Sequence, residues 1–191
     1  MTIETRTGGK ILDFDLESRP LHFWYDGKCT AEITCAAWAW IDHPHDVQVE
    51  ALTTDPESAY PMLERFVEAY NEADMVVGHN IRDFDLPLLN AAMIELDLPL
   101  LKTKLTHDTK NDFVKRRDLG ISQEALGQMM LGTNEKHHLT QGDWREANRL
   151  TPAGVASTKE RAIRDVQQNM HMYAELRSRG LLKAPRLWSS R

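Results

Sequence analysis

The chain has 191 residues, of which 41% are hydrophobic, a composition that suits one globular domain with a sizeable core and excludes a disordered chain. No apolar run approaches the roughly 20 residues of a membrane span, and MTIETRTGGK lacks the apolar stretch of a signal peptide, so we expect a cytoplasmic protein with no membrane partner. The formal net charge of −6 argues against nucleic-acid binding by bulk attraction but is compatible with a local basic patch.

The first half of the chain carries clear strand and helix patterns. KILDFDL (10–16), EITCAAWAWID (32–42) and DVQVEAL (46–52) predict three strands. DPESAYPMLERFVEAYNEA (55–73) has apolar side chains at helical spacing, and it opens with an Asp suited to the N-cap and a Pro suited to the first helical position. DMVVGHN (74–80) is typical of a buried parallel strand, and FDLPLLNAAMIELDL (84–98) returns to helical spacing.

The second half is less regular. Residues 131–154 predict a long loop with one short helix, and a last helix is expected from about Ser157 to Arg179. Ser157 and Glu160 fit the Ser-x-x-Glu capping box of a helix start. Strands followed by alternating helix and strand predict a single α/β domain over 1–191, with a mixed sheet and helices on its faces.

Three acids occupy alternate positions of the first predicted strand. Asp13, Asp15 and Glu17 therefore share one face of that strand, where like charges repel and need compensation. Asp15 and Glu17 lie within reach of a shared cation, and their oxygens favour hard ions such as Mg²⁺ or Mn²⁺. Without further acids, a solvated strand edge explains the pair equally well.

Further acids occur in GHNIRDFDLPLL (78–89) and ERAIRDVQQNMHMY (160–173). Asp-x-Glu in FDLES, Asn-x-x-x-Phe-Asp after Gly-His, and Asp-Val in RDVQQN follow one another along the chain. In these motifs the sequence resembles the DEDD 3′-5′ exonucleases of the RNase H-like fold, most nearly the proofreading domains of family-B DNA polymerases and their phage-encoded stand-alone relatives. The order and separations of the motifs agree with that family over about residues 10–177.

The resemblance implies an enzyme that uses two Mg²⁺ or Mn²⁺ ions to activate a water and to stabilise the leaving 3′ oxygen of a nucleic acid. It implies that the catalytic metal ligands are four carboxylates, Asp15, Glu17, Asp85 and Asp165. It also implies substrate contacts from Leu16, Ser18, Asn80 and Phe84, with Gly78 shaping the approach to the terminal nucleotide. Repulsion among the four acids predicts raised pKa values for some of them until metal binds.

The same resemblance favours the 3′ end of single-stranded or frayed DNA as the partner, although the sequence does not separate DNA from RNA. The expected setting is replication, repair or proofreading, with replication proteins as further partners and the host cytoplasm as the location if a phage encodes the protein. The alternative function is a catalytically weakened RNase H-like module that only binds nucleic acid or a replication protein.

The general base departs from the family pattern. Family members supply a Tyr four residues, or a His five residues, before the last Asp, where this chain has Arg161 and Glu160. Arg161 stays protonated and is expected to hold the scissile phosphate or to pair with the acids, whereas the capping box explains Glu160. Substitute bases are sought among histidines, at His137 and His138 in EKHHLTQ or at His79. Loss of a base typically costs about 10²- to 10⁴-fold, so activity would be slowed and not abolished.

Two further acids are interpreted apart from the four metal ligands. Asp13 stands where the family is commonly apolar, and we interpret it as a carboxylate paired with a basic residue or with water, the alternative being an outer acid of the site. Asp108, after His107, is interpreted as a structural support and not a metal ligand.

The stretch KTKLTHDTKNDFVKRR (102–117) is either a nucleic-acid contact or a solvated face, and its basic residues are Lys102, Lys104, Lys110, Lys115, Arg116 and Arg117. Base stacking is expected from Phe84 or Trp144, with a core position as the alternative for Phe84.

Overall fold

The computed structural model describes residues 9–23, 29–114, 121–134 and 138–190. Its strands form one six-stranded sheet in the order β3-β2-β1-β4-β5-β6. The strands are β1 (Ile11–Phe23), β2 (Cys29–Trp40), β3 (Gln48–Ala51), β4 (Met75–Gly78), β5 (Lys104–Asp108) and β6 (Arg186–Trp188). Strands β1, β4 and β5 are parallel, whereas β2, β3 and β6 run antiparallel to their neighbours. This mixed sheet confirms the predicted α/β class and is consistent with the RNase H-like fold.

Helices cover both faces of the sheet. They are α1 (Ala59–Glu72), α2 (Asp85–Glu95), α3 (Gln123–Leu131), α4 (Gln141–Asn148) and α5 (Pro152–Ser178). Helices α1 and α2 bury their apolar sides in the main core on one face, and α5 packs on the other face. Helices α3 and α4 pack against α5. Among the described residues, no helix combines the length and apolarity needed to cross a membrane.

Alternation along β1 divides its residues between these two faces. Leu12, Phe14 and Leu16 are buried in the core with α1 and α2. The three acids lie on the α5 face, where the β2 residues paired with them are small: Ala39, Ala37 and Cys35. These small side chains let α5 approach the sheet closely, with Ala162 and Val166 packed against them. The acids of β1 are therefore held between the sheet and α5.

The start of the last helix differs from the prediction. Helix α5 begins at Pro152, with Thr151 as its N-cap accepting a hydrogen bond from the Gly154 amide at 3.1 Å. Ser157 lies inside the helix, so the predicted Ser157–Glu160 capping box was wrong. A true capping box lies at Thr140 and Asp143, where it starts α4, the single short helix predicted between 131 and 154.

Candidate active site in an acidic cleft

Two polar rows face each other between β1 and α5. Glu17, Asp15 and Asp13 form the strand row, and Arg161, Asp165 and Asn169 form the helix row. Four helical residues advance by about 6 Å and two strand residues by about 6.6 Å, so the two rows stay in register. At one end Arg161 Nε donates to Glu17 Oε1, and at the other Asn169 Nδ2 donates to Asp13 Oδ2 at 2.6 Å. Asp165 is thereby brought opposite the middle of the acidic strand.

The carboxylates of Asp15, Glu17 and Asp165 converge in a cleft of about 330 Å³. Each carboxylate has one oxygen that lies within 4.8 Å of an oxygen of the other two carboxylates. The Asp165 side chain is only 3% exposed. Clustered hard oxygen donors are the ligand set that Mg²⁺ and Mn²⁺ prefer. The three residues therefore fit a divalent metal ion.

Asp85 joins this cleft from the other side of β1. Strand β1 pairs with β4 only over Ile11–Asp13, so further along the strand the Leu16 amide is available and donates to Asp85 Oδ1 at 3.0 Å. Burial raises the pKa of Asp85 to about 7, with Glu17 and Asp108 adding to the shift and the Leu16 amide opposing it. The predicted rise in acid pKa values is thus found at Asp85, with burial as its largest cause.

This pKa gives a testable pH dependence. The pKa of Asp85 is 3.8 in the unfolded chain and about 7 in the folded, metal-free protein. Between these two pH values the folded protein keeps a proton on Asp85 that the unfolded chain has released, so the free energy of unfolding falls as the pH rises. Asn at this position still accepts the Leu16 hydrogen bond but cannot ionise. Relative to Asp85→Asn, the wild type should therefore lose up to about 4 kcal/mol between about pH 4 and pH 8.

Urea unfolding of both proteins in EDTA across this pH range measures the difference. Other groups whose pKa values burial shifts, Asp13 and His107 among them, are present in both proteins and cancel. A difference between the two proteins that does not change with pH would contradict a buried, protonated Asp85.

Arg161 is held by three neighbours. Its Nε lies 2.5 Å from Glu17 Oε1, its Nη2 lies 3.6 Å from Asp165 Oδ2, and its guanidinium carbon lies 5.3 Å from the centre of the Trp144 ring. Burial lowers the pKa of Arg161, but the carboxylates of Glu17, Asp165 and Asp15 raise it by more, so the group stays charged. Of the two expected roles, pairing with the acids is the one that this geometry displays.

The loop between β4 and α2 sets the cleft wall. A Cβ atom on Gly78 would meet Ile81 Cγ2 at 2.2 Å and the Phe14 carbonyl oxygen at 2.8 Å, so only glycine fits here. Asn80 adopts a left-handed backbone with φ of 71° and lines the cleft. The buried Asp108 carboxylate holds this loop by accepting from the amides of Asn80 at 3.0 Å and Arg82 at 3.2 Å. Asp108 thus supports the loop, as the sequence interpretation stated.

The predicted pairing of Asp13 with a basic residue was wrong. Asp13 is fully buried and pairs with Asn169, not with a basic residue, and among the described residues its Oδ1 has no hydrogen-bond partner. Burial raises its pKa well above the usual range. Asn169 accepts from Thr109 Oγ1 at 2.7 Å, and Thr109 Oγ1 lies 3.0 Å from His79 Nδ1. A buried polar chain therefore links Asp13 to a histidine that lines the cleft.

The other candidate bases lie elsewhere. His138 is an exposed residue whose Nε2 lies 3.6 Å from Glu124 and 3.2 Å from Asn134 Nδ2. Glu160 lines a shallow surface pocket between α5 and β3, not the acidic cleft. His137 lies outside the described residues. Of the histidines considered, His79 is therefore the one described at the cleft.

The described lysines of the basic stretch do not form one surface. Lys104 is buried, and its Nζ donates to the Ala73 carbonyl at 2.5 Å beyond the end of α1, which excludes a nucleic-acid contact. Lys102 lines a separate groove beside α1. Lys110 lines the acidic cleft. The remaining basic residues, Lys115, Arg116 and Arg117, lie outside the described residues.

Four residues expected to contact the substrate have different surroundings. Phe84 is 47% exposed at the cleft, so the core alternative was wrong. Leu16 also lines the cleft, whereas Ser18 follows a β-bulge after Glu17 and is not among the cleft-lining residues described. Trp144 stacks on Arg161.

The fold and the acid cluster together define an α/β protein of RNase H-like architecture with a candidate divalent-metal site. One similar solved structure is the family B DNA polymerase from the hyperthermophilic archaeon Pyrobaculum calidifontis, with a TM-score of 0.64 and 16% sequence identity. The match covers 88% of this chain and 24% of that polymerase chain. No protein-family model matches the sequence, and no curated protein matches it either.

Proposed function

We propose that this chain is a metal-dependent 3′-5′ exonuclease of the DEDD type that removes nucleotides from the 3′ end of single-stranded or frayed DNA. The observation that carries the proposal is the convergence of Asp15, Glu17 and Asp165 with Asp85 in one cleft. The fold likeness to a DNA polymerase supports a role with nucleic acid. Replication, repair or proofreading is the proposed setting, in a single-domain, phage-type protein that works with replication proteins.

Each cleft residue has a role in this proposal. Asp15, Glu17 and Asp165 would hold divalent ions, and Asp85 would act from the opposite side of β1. When bound, two such ions activate a water and stabilise the leaving oxygen of the cleaved phosphodiester. Phe84 offers an exposed ring on which a terminal base can stack, and Lys110 offers a charge for a phosphate.

His79 is the proposed replacement for the missing family base. The Asn169 amide donates to Asp13, so its oxygen accepts the Thr109 hydroxyl proton. We infer that Thr109 Oγ1, 3.0 Å from His79 Nδ1, accepts from that nitrogen, which assigns the ring proton to Nδ1 and the acceptor role to Nε2. This tautomer is the one that a proton acceptor requires.

A catalytically weakened binding module is the second candidate. The ion pair between Arg161 and Glu17 favours it, because a guanidinium occupies an oxygen that a metal ion would use. Intact carboxylates at all four positions favour the enzyme, since a module that only binds gains nothing from an acid cluster that repels phosphate.

Digestion of 5′-labelled single-stranded DNA and RNA with Mg²⁺ or Mn²⁺ separates the two functions. The proposal expects a ladder of DNA products that shorten from the 3′ end, with no products in EDTA. A circular single-stranded DNA of the same sequence should stay intact, because it has no 3′ end. Binding of the linear DNA without any cleavage would overturn the exonuclease and support the module.

A further inference from the structure

Arg161 lies where the positive charge of a divalent ion would be needed. Its Nε is 2.5 Å from Glu17 Oε1 and its Nη2 is 3.6 Å from Asp165 Oδ2. Those two carboxylates, with Asp15, form the cluster whose oxygens lie within 4.8 Å of one another. A guanidinium and a divalent ion therefore compete for the same oxygens, and their like charges oppose simultaneous occupancy.

Trp144 gives Arg161 a second anchor that does not depend on the acids. The guanidinium carbon lies 5.3 Å from the Trp144 ring centre, and the ring projects from α4, not from the acidic strand. An arginine stacked on an indole keeps its in-plane N–H groups available for a planar or tetrahedral anion. If Arg161 leaves the carboxylates, Trp144 can thus keep it at the cleft wall.

We propose that Arg161 is an exchangeable counter-ion, which neutralises Glu17 and Asp165 in the metal-free protein and moves to a substrate phosphate when a divalent ion binds these acids. Arg161 is then a positioning residue that links metal binding to nucleic-acid binding. The movement of Arg161 to a substrate phosphate rests on the proposed exonuclease function. The competition between Arg161 and a divalent ion requires only that the acid cluster binds the ion.

The Arg161 guanidinium can pair with the carboxylates or with a phosphate, but not with both at once, and this has two consequences. Without nucleic acid, Arg161 must be displaced before the ion binds, so ion binding is weakened. With nucleic acid, the phosphate takes up the displaced guanidinium, so ion and nucleic acid each strengthen the binding of the other.

Calorimetric titration with Mn²⁺ in the absence of nucleic acid tests the competition. Arg161→Gln should bind Mn²⁺ about 10-fold more tightly than the wild type, since the competing cation is gone. Arg164→Gln is the matched control, because Arg164 is three residues further along α5 and lines the shallow pocket between α5 and β3, not the acidic cleft. It should bind Mn²⁺ as the wild type does.

Arg161→Gln loses the charge that compensates the acids, and their repulsion lowers its stability. Thermal unfolding with and without Mn²⁺ tests the competition even in this less stable variant. The rise in melting temperature caused by Mn²⁺ should be larger for Arg161→Gln than for the wild type.

Trp144→Leu provides a second variant, which keeps the charge of Arg161 and removes the aromatic ring on which it stacks. It should weaken binding of single-stranded DNA in the presence of Mn²⁺.

The coupling is measured by fluorescence anisotropy with a labelled oligodeoxythymidylate that has phosphorothioate linkages at its 3′ end, checked for intactness by electrophoresis. Mn²⁺ should tighten its binding to the wild type about 10-fold, and to Arg161→Gln by less than about 2-fold.

The outcomes separate this inference from the proposed function. Equal Mn²⁺ affinities for the wild type and Arg161→Gln would overturn the inference and leave the exonuclease intact. Tighter Mn²⁺ binding by Arg161→Gln, with no cleavage of DNA by either protein, would support the competition and overturn the exonuclease. Absence of Mn²⁺ binding in both proteins would overturn both.

Discussion

Asp15→Asn is expected to lower the rate of nucleotide release from the 3′ end of DNA by at least about 10³-fold, the scale of losing a charge-stabilised transition state. Asp15 shares one oxygen cluster with Glu17 and Asp165, so its loss removes a ligand from the centre of the site. The same substitution removes one negative charge from a repulsive cluster. The free energy of unfolding of the metal-free protein should therefore stay unchanged or rise, even as activity is lost.

Initial rates on 5′-labelled single-stranded DNA with Mg²⁺, together with urea unfolding in EDTA, measure both effects. Asp42→Asn is the matched control, because Asp42 is an exposed residue just after β2, at the end of the sheet where Trp40 pairs with Leu12 and away from the acids. It should retain wild-type activity. A wild-type rate for Asp15→Asn would mean that the acid cluster is not the catalytic centre.

The sheet and its first helices could be predicted because their patterns are strong and local. Alternation in KILDFDL places the acids on one face of β1, and the structure has them there. The apolar run of β4 is confirmed as a buried parallel strand, and α1 and α2 lie within the segments where helical spacing predicts them. The predicted start of α1 was wrong: Pro56–Ser58 form a short 3-10 helix, and α1 begins at Ala59 with Ser58 as its N-cap. The small residues of β2 that pair with the acids are the sequence signal that a helix lies close to this face.

The start of α5 could not be predicted from local rules alone. TPAG contains Pro and Gly, which usually indicate a turn, so local rules predict a loop here. Here Pro152 occupies the first helical position, where its missing N–H costs nothing. Gly154 is required by tertiary packing, because a Cβ there would meet the Glu146 carbonyl group of α4 at 2.2 Å. This glycine is therefore explained by the close contact between α4 and α5, not by a turn.

The partners of the acids also depend on tertiary structure. A spacing of four residues predicts that one helix face carries Arg161, Asp165 and Asn169. The local sequence does not show that this face packs on β1, or that the helix and the strand run in opposite directions. That pairing gives Glu17 an arginine and Asp13 an amide. Helix α3 went unpredicted although Ser122 and Gly132 are its caps, since QEALGQMML has only a weak apolar periodicity.

Asp108→Ala is expected to lower the free energy of unfolding by about 3 to 5 kcal/mol, the scale of removing one partner from a buried charged network. The Asp108 side chain is fully buried and joins two loops. Its Oδ1 accepts from the amides of Asn80, Lys110 and Asn111, each at 3.0 Å, and its Oδ2 accepts from the Arg82 amide at 3.2 Å. Alanine would leave these partly buried backbone donors without their shared acceptor.

Urea unfolding at neutral pH measures this loss, and Asp83→Ala is the matched control. Asp83 is an exposed acid of the same loop and accepts from the Asn111 side chain at 2.9 Å, so its removal deletes one bond without stranding a buried amide. It should cost less than about 1 kcal/mol. Because the loop held by Asp108 also carries Asn80 and leads into Asp85, Asp108→Ala should lose activity at temperatures where it is still folded. Equal unfolding free energies for the two variants would show that the loop is held by its backbone alone, and that the Asp108 carboxylate does not support the cleft.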